Sequence, residues 1–147
     1  MTRGYYVFES KGKVTKAAYI PSDGYISVAG YPIIKAFSEN REEEYLEELR
    51  EQNVKYKESD ELVYIRPEWY RKTKNSRPDD MHQEYAYVIT AGKLKIYHYA
   101  KLLTTITKDT AADWAAFASE FNDIQRQMLY SDELLKLDWR KEPEMYK

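Results

Sequence analysis

The sequence predicts an α+β fold: a mainly antiparallel sheet of about five strands with helices packed on one face. Residues 84–99 alternate with the two-residue period of strands on either side of a turn. Residues 4–20 show a similar two-arm pattern around a glycine, and residues 110–128 carry large apolar side chains every three or four positions, which is typical of a helix. A sheet covered by helices follows from these three patterns.

The stretch from Glu84 to Tyr99 is predicted to form the central hairpin, with Ala91-Gly92 as its loop. Because strand side chains alternate between faces, this loop fixes which residues lie opposite each other. On the nearly apolar face the expected pairs are Ile89 with Leu94, Tyr87 with Ile96 and Tyr85 with His98. On the mixed face they are Ala86 with Tyr97, Val88 with Lys95 and Thr90 with Lys93.

Strands are also predicted before and after this hairpin. Gly4–Glu9 and Val14–Ile20 are expected to form a first hairpin, in which Gly12 supplies the positive φ that the turn needs. Glu61–Ile65 is a short predicted strand. Leu102–Ile106 either extends the second strand of the central hairpin or forms a separate strand.

Three helices are predicted. The first begins near Pro32, a residue suited to the first turn of a helix, and the second runs from about Arg41 to Gln52. The third is expected to cover the apolar face of the central hairpin. Its large apolar residues are Trp114, Phe117, Phe121, Ile124 and Met128, and their expected contacts are Tyr87, Ile89, Leu94 and Ile96.

Composition limits the classes of function. Residues 1–147 are expected to form a single domain, because 43% of them are apolar and 33% are charged. The net charge of −2 makes nucleic-acid binding an unfavoured function. The absence of cysteine excludes disulfides and thiolate zinc sites, and no apolar run is long enough to span a membrane. A cytoplasmic location is therefore expected.

The stretch Arg66–Arg77, here called the basic segment, is the predicted binding surface. It places aromatic side chains beside a run of cations, a combination that suits stacking and contact with anionic groups. The expected partner is a host protein or a small nucleotide-like ligand. In the alternative interpretation the aromatic residues pack into the core and the cations line a solvated loop. The proposed binding residues are Arg66, Trp69, Tyr70, Arg71, Lys72, Lys74 and Arg77.

The second predicted helix carries a competing surface. Glu43, Glu47 and Glu51 belong to an acid-rich face that could dock a basic partner. The alternative is that this face is simply solvated, as charged helix faces usually are.

Evidence for catalysis in the sequence is limited, and a non-catalytic function is favoured. The alternative is an N-terminal-threonine hydrolase, in which Thr2 is exposed by methionine removal and its amine activates its hydroxyl. A pocket formed by Arg3, Asp23 and Tyr25 would support that alternative.

The chain has two histidines, His82 and His98. His82 lies near acidic residues in the sequence, but its spacing matches no ligand motif, and His98 is expected to be structural. No cofactor and no metal site are expected.

The chain contains 15 tyrosines, which serve either as half-buried strand residues or as a binding surface. A tyrosine-rich domain with an apolar strand edge is also prone to pair with its own copy, because an unpaired edge exposes main-chain donors and acceptors. A homodimer is therefore expected.

Short motifs resemble a group of small phage and prophage proteins. These motifs are the opening Thr2-Arg3-Gly4, the turn Asp23-Gly24-Tyr25, Gly30 before a helix and the strand Glu84–Ile89. The chain departs from the group at Ile26, because the group usually has proline after the tyrosine. The resemblance implies a mobile-element origin and a cytoplasmic role in the contest between phage and host, such as inhibition of a host factor.

Overall fold

Five strands form one open sheet in the order β2-β1-β3-β4-β5. The structure is a computed structural model and describes residues 3–20, 24, 26–52, 65–77 and 84–116. Every neighbouring pair is antiparallel except β1 and β3, which are parallel. The predicted α+β class is thus confirmed. The strands are β1 (Gly4–Ser10), β2 (Lys13–Ile20), β3 (Tyr85–Thr90), β4 (Lys93–His98) and β5 (Lys101–Ile106).

The helical segments lie mostly in the long connection between β2 and β3. A π-helical turn, Ile26–Gly30, leads directly into α1 (Tyr31–Ser38), which is followed by α2 (Glu42–Gln52). A single 3-10 turn, Pro67–Trp69, comes later in the same connection. Residues 111–116 after β5 are also helical. The two predicted helices between residues 32 and 52 are therefore confirmed.

The central hairpin has the predicted register at all its positions. Tyr85 lies opposite His98 and Thr90 lies opposite Lys93, with the four intervening pairs in step. Ala91 and Gly92 form the turn with φ angles of 50° and 73°. Positive φ at both central residues matches the right-handed twist of hairpin strands.

The first hairpin is confirmed as well. Lys11 and Gly12 form its turn with φ angles of 55° and 79°, and β1 pairs with β2 from Gly4 to Ser10. The register shifts between Phe8 and Glu9, so the end of β1 carries an irregularity next to Glu9.

Residues 101–106 form a separate strand, β5, which was one of two alternatives for this stretch. β5 pairs with β4 through a third tight turn, at Tyr99 and Ala100, whose φ angles are 46° and 68°. The predicted strand Glu61–Ile65 falls mainly outside the described residues. Ile65 itself is buried but does not belong to a strand.

One sheet face packs against the helices, as predicted. Trp114 is buried in the same cluster as the apolar side chains of β3 and β4. Phe117, Phe121, Ile124 and Met128 lie outside the described residues. The helical members of this cluster are Ile33, Ile34, Phe37, Leu46, Ala111 and Trp114, and its sheet members include Tyr6, Tyr87, Ile89, Leu94, Ile96 and Ile106.

Buried tyrosines join the sheet to the segment before α1. The hydroxyl of Tyr6 donates to the carbonyl of Ala29 at 2.5 Å, and that of Tyr87 donates to the carbonyl of Gly24 at 2.6 Å. Each bond satisfies a phenol in an apolar surrounding, where an unpaired hydroxyl would cost free energy. Much of the tyrosine content therefore serves the fold.

The parallel pairing of β1 and β3 requires a close approach of two backbones. A Cβ atom on Gly4 would lie 2.5 Å from the carbonyl oxygen of Tyr85. Glycine at this position therefore lets the two strands meet.

Candidate binding surface

The basic segment begins against the sheet face opposite the helices. Tyr70 is fully buried there, and Ile65, just before the segment, is buried with it. The Tyr70 ring meets the rings of Tyr5 and Tyr97 edge-on, with centroids 6.5 and 6.3 Å away. This second cluster contains Tyr5, Val7, Ala17, Ile65, Tyr70, Ala86, Val88 and Tyr97. The mixed face of the central hairpin is thus a second buried layer.

A buried carboxylate anchors the segment. Glu9 has a side chain only 5% exposed, and its Oε2 accepts a hydrogen bond from the Tyr70 hydroxyl at 2.5 Å. Arg71 forms a bidentate pair with the same carboxylate. Its Nη2 donates to Oε1 at 2.8 Å and its Nε donates to Oε2 at 3.1 Å. Bonds of this charge-assisted, bidentate kind are the strongest that side chains make.

The protonation states fit this arrangement. Burial raises the pKa of Tyr70 far above its ordinary value, and the bond to Glu9 raises it further. The bond to Glu9 likewise raises the pKa of Arg71. Tyr70 therefore remains a proton donor and Arg71 remains a cation at any physiological pH.

The rest of the segment turns toward solvent. Trp69 is 36% exposed, and the side chains of Lys72 and Lys74 are exposed. A compact turn shapes this part of the chain, because the amide of Thr73 donates to Ser76 Oγ at 2.8 Å and the amide of Asn75 donates to Thr73 Oγ1 at 3.1 Å. Arg66 and Arg77 mark the two ends of the segment and are also exposed.

The seven predicted binding residues thus divide into two groups. Tyr70 and Arg71 hold the segment on the sheet, and the Arg71 side chain is only 23% exposed. The side chains of the remaining five are exposed. The burial of Tyr70 agrees with the interpretation in which the aromatic residues pack into the core, the exposure of Trp69 does not, and binding by the exposed cations stays a prediction. The exposed group, here called the exposed basic surface, is Arg66, Trp69, Lys72, Lys74 and Arg77.

Sequence reasoning missed Glu9, the residue that determines where the segment lies. A signal was present, because Glu9 shares the strand face of Tyr5 and Val7, whose other members are apolar. A carboxylate on such a face requires cationic or hydrogen-bonding partners. Arg71 and Tyr70 are more than 60 positions away in the sequence, which concealed the pairing.

The alternative pocket is described only in part. Arg3 is exposed at the start of β1, whereas Thr2, Asp23 and Tyr25 lie outside the described residues. The proposal of an N-terminal-threonine hydrolase therefore stays a prediction. His82, with its neighbours Asp79 and Asp80, also lies outside the described residues.

His98 lies in an aromatic setting at the end of β4. Its ring is 4.8 Å from that of Tyr85 and 4.6 Å from that of Tyr99, and its Nε2 is 3.6 Å from Glu84 Oε2. Within the described part of the chain, no group of three or more histidine and acidic side chains is arranged to hold a metal ion.

The acidic face of α2 is partly neutralised by its neighbours. Glu47 pairs with Lys16 at 3.2 Å and with Arg50 at 3.8 Å. Glu43 and Glu51 are exposed on the same helix. Exposed acidic side chains with local ion pairs fit both interpretations of this helix, so the docking of a basic partner stays a prediction.

A groove between α1 and α2 was not predicted from the sequence. It has a volume of about 330 Å³ and is open to solvent. Its lining mixes opposite charges, Lys35 and Arg41 with Glu39 and Glu48, around Tyr31 and Tyr45. This mixture favours no single class of ligand.

Among the residues that the structure describes, no helix is long and apolar enough to cross a membrane. No protein-family model matches the chain, and comparisons with curated proteins and with solved structures gave no significant match.

Proposed function

We propose that this chain is a non-catalytic binding protein of phage or prophage type, which acts in the cytoplasm by docking on an acidic surface of a host protein and inhibiting it. The observation that carries the proposal is the anchored basic segment. Tyr70 and Arg71 are fixed on the sheet by Glu9, while Trp69 and Lys72 beside them face solvent.

This arrangement has the features of a docking site. Aromatic and cationic side chains contribute most to protein interfaces when a rigid scaffold presents them. Complementary charge also accelerates association and selects partners. The net charge of −2 makes a local group of cations on this chain a distinct feature of its surface.

Reversing two exposed cations should weaken binding selectively. We expect Lys72→Glu/Lys74→Glu to lower the affinity for a poly-glutamate peptide about tenfold or more, because two attractive contacts become repulsive. The melting temperature should not change, since both side chains are exposed. Arg71 is excluded from this test because it pairs with a buried carboxylate. Fluorescence anisotropy of a labelled peptide would measure the affinity, and rising salt should weaken it.

Two control variants define the surface. Lys93→Glu/Lys101→Glu makes the same charge change at exposed positions outside the segment, so it should retain the wild-type affinity. Glu43→Lys/Glu51→Lys changes the competing face of α2 and should not weaken binding of the peptide. If Lys93→Glu/Lys101→Glu lost affinity while Lys72→Glu/Lys74→Glu did not, the assignment of the surface would be contradicted. Wild-type protein that binds ATP but no acidic peptide would indicate a nucleotide-like ligand.

The homodimer is a second proposal, and it rests on β5. This strand is an outer strand of the described sheet. The side chain of Leu102 in it is 41% exposed, and that of Tyr99 just before it is 57% exposed. Pairing of β5 with its copy would extend the sheet and bury both side chains. We expect light scattering at micromolar concentration to give about twice the chain mass of 17.5 kDa, and Leu102→Lys to give the monomer. A wild-type mass of 17.5 kDa would contradict the proposal.

A further inference from the structure

We infer that Glu9 is a positioning residue of the exposed basic surface: its buried carboxylate holds the basic segment in the conformation that binds the partner. The inference rests on the function proposed above, because it assigns to Glu9 the task of presenting that surface. Glu9 itself is only 8% exposed and so is not available to a partner.

The geometry is that of a clamp on two consecutive residues. Glu9 Oε2 accepts from the Tyr70 hydroxyl and from Arg71 Nε, and Glu9 Oε1 accepts from Arg71 Nη2. Both carboxylate oxygens are therefore engaged. The clamped pair lies directly between Trp69 and Lys72, so the positions of these two exposed side chains follow from it.

The described segment has little regular secondary structure. Its regular structure is one 3-10 turn, and residues 65–77 include no strand that would join the sheet ladder. Apart from the carboxylate clamp, its fully buried side chain is Tyr70, next to the buried Ile65, while Pro67, Glu68, Thr73 and Ser76 are half-buried. A region held by few side chains opens more easily than a strand of the sheet.

Opening of the segment has a defined effect on affinity. When only the docked conformation binds, the apparent dissociation constant equals the intrinsic constant divided by the docked fraction. A change at Glu9 that lowers the docked fraction should therefore weaken binding by the same factor, although Glu9 does not contact the partner. This proportionality separates positioning from a general stabilising role.

The test is Glu9→Gln in the full chain, with hydrogen exchange and peptide affinity measured on the same sample. The amide keeps the side-chain shape but removes the charge and one acceptor, so the amides of residues 66–77 should exchange about tenfold faster or more. Those of β3 and β4 should exchange as in the wild type. The affinity for the poly-glutamate peptide should fall in proportion to the docked fraction that the exchange rates give.

Two further variants calibrate the result. Tyr70→Phe removes one bond and keeps the Arg71 pair, so both readouts should change in the same direction but by less. Glu47→Gln removes an exposed carboxylate that pairs with Lys16 and Arg50 and should change neither readout.

The outcomes are distinct. Equal acceleration of exchange in the segment and in the central hairpin would overturn the inference, because Glu9 would then stabilise the whole fold. An affinity that does not follow the docked fraction given by the exchange rates would also overturn it, since binding would then not depend on the docked conformation. Wild-type protein that fails to bind the peptide would overturn the proposed function, and the positioning role with it. Exchange is measured without a ligand. A failure of the wild-type protein to bind the peptide can therefore be distinguished from a failure of the positioning role.

Discussion

The free energy of unfolding should fall steeply as the pH rises above about 10, the ordinary pKa of tyrosine. Burial raises the pKa of Tyr6, Tyr70 and Tyr87 well above that value. Above pH 10 the unfolded chain therefore releases protons that the folded chain retains, and stability falls with pH. Each such tyrosine contributes a slope of about 1.4 kcal/mol per pH unit, so three contribute about 4 kcal/mol per unit.

Urea unfolding followed by circular dichroism at a series of alkaline pH values would measure this slope. Absorbance of the phenolate would show whether the tyrosines ionise together with unfolding. Tyr87→Phe should lower stability at neutral pH, because the bond to Gly24 is lost, but should also reduce the alkaline slope by one proton. Equal slopes for the wild type and Tyr87→Phe would contradict the prediction.

The parts of the fold that the sequence predicted best are governed by neighbours in the chain. The register of the central hairpin follows from one turn at Ala91-Gly92 and the strict alternation of strand side chains. The same reasoning gave the first hairpin around Gly12. For such elements, a few adjacent residues determine the turn and the register of the strands.

The parts that the sequence did not predict either depend on distant residues or lack the usual local signal. The parallel pairing of β1 with β3 joins Gly4 to Tyr85 across a long connection, and no local pattern specifies it. The turn at Tyr99 and Ala100 has positive φ angles but lacks the Asn-Gly or Asp-Gly pair that usually indicates such a turn.

The candidate site follows the same division. Local composition predicted the basic segment as a binding surface, because aromatic and cationic residues are adjacent in it, and that role stays a prediction. It could not separate Arg71 from Lys72, since their different exposure depends on Glu9 in another strand. Pairing with the buried carboxylate of Glu9 therefore distinguishes Arg71 from the exposed lysines of the segment.

Trp114→Ala should be the most destabilising single change among the tryptophans that the structure describes. Trp114 is 3% exposed and belongs to the cluster that joins the helical residues 111–116 to β3 and β4. Truncation of a large buried aromatic residue removes its apolar contacts and leaves a cavity, at a cost of about 3–5 kcal/mol. This is a large fraction of the stability of an ordinary domain.

Trp69→Ala is the matched control, because it makes the same truncation at a side chain that is 36% exposed. Chemical denaturation should show a large fall in the free energy of unfolding for Trp114→Ala and a change below about 1 kcal/mol for Trp69→Ala. The affinity for the poly-glutamate peptide should fall more for Trp69→Ala than for Trp114→Ala. Trp69 lies on the exposed basic surface, whereas Trp114 lies on the other side of the sheet. A similar loss of stability in the two variants would mean that Trp69 also supports the core, and its assignment to the binding surface would then be wrong.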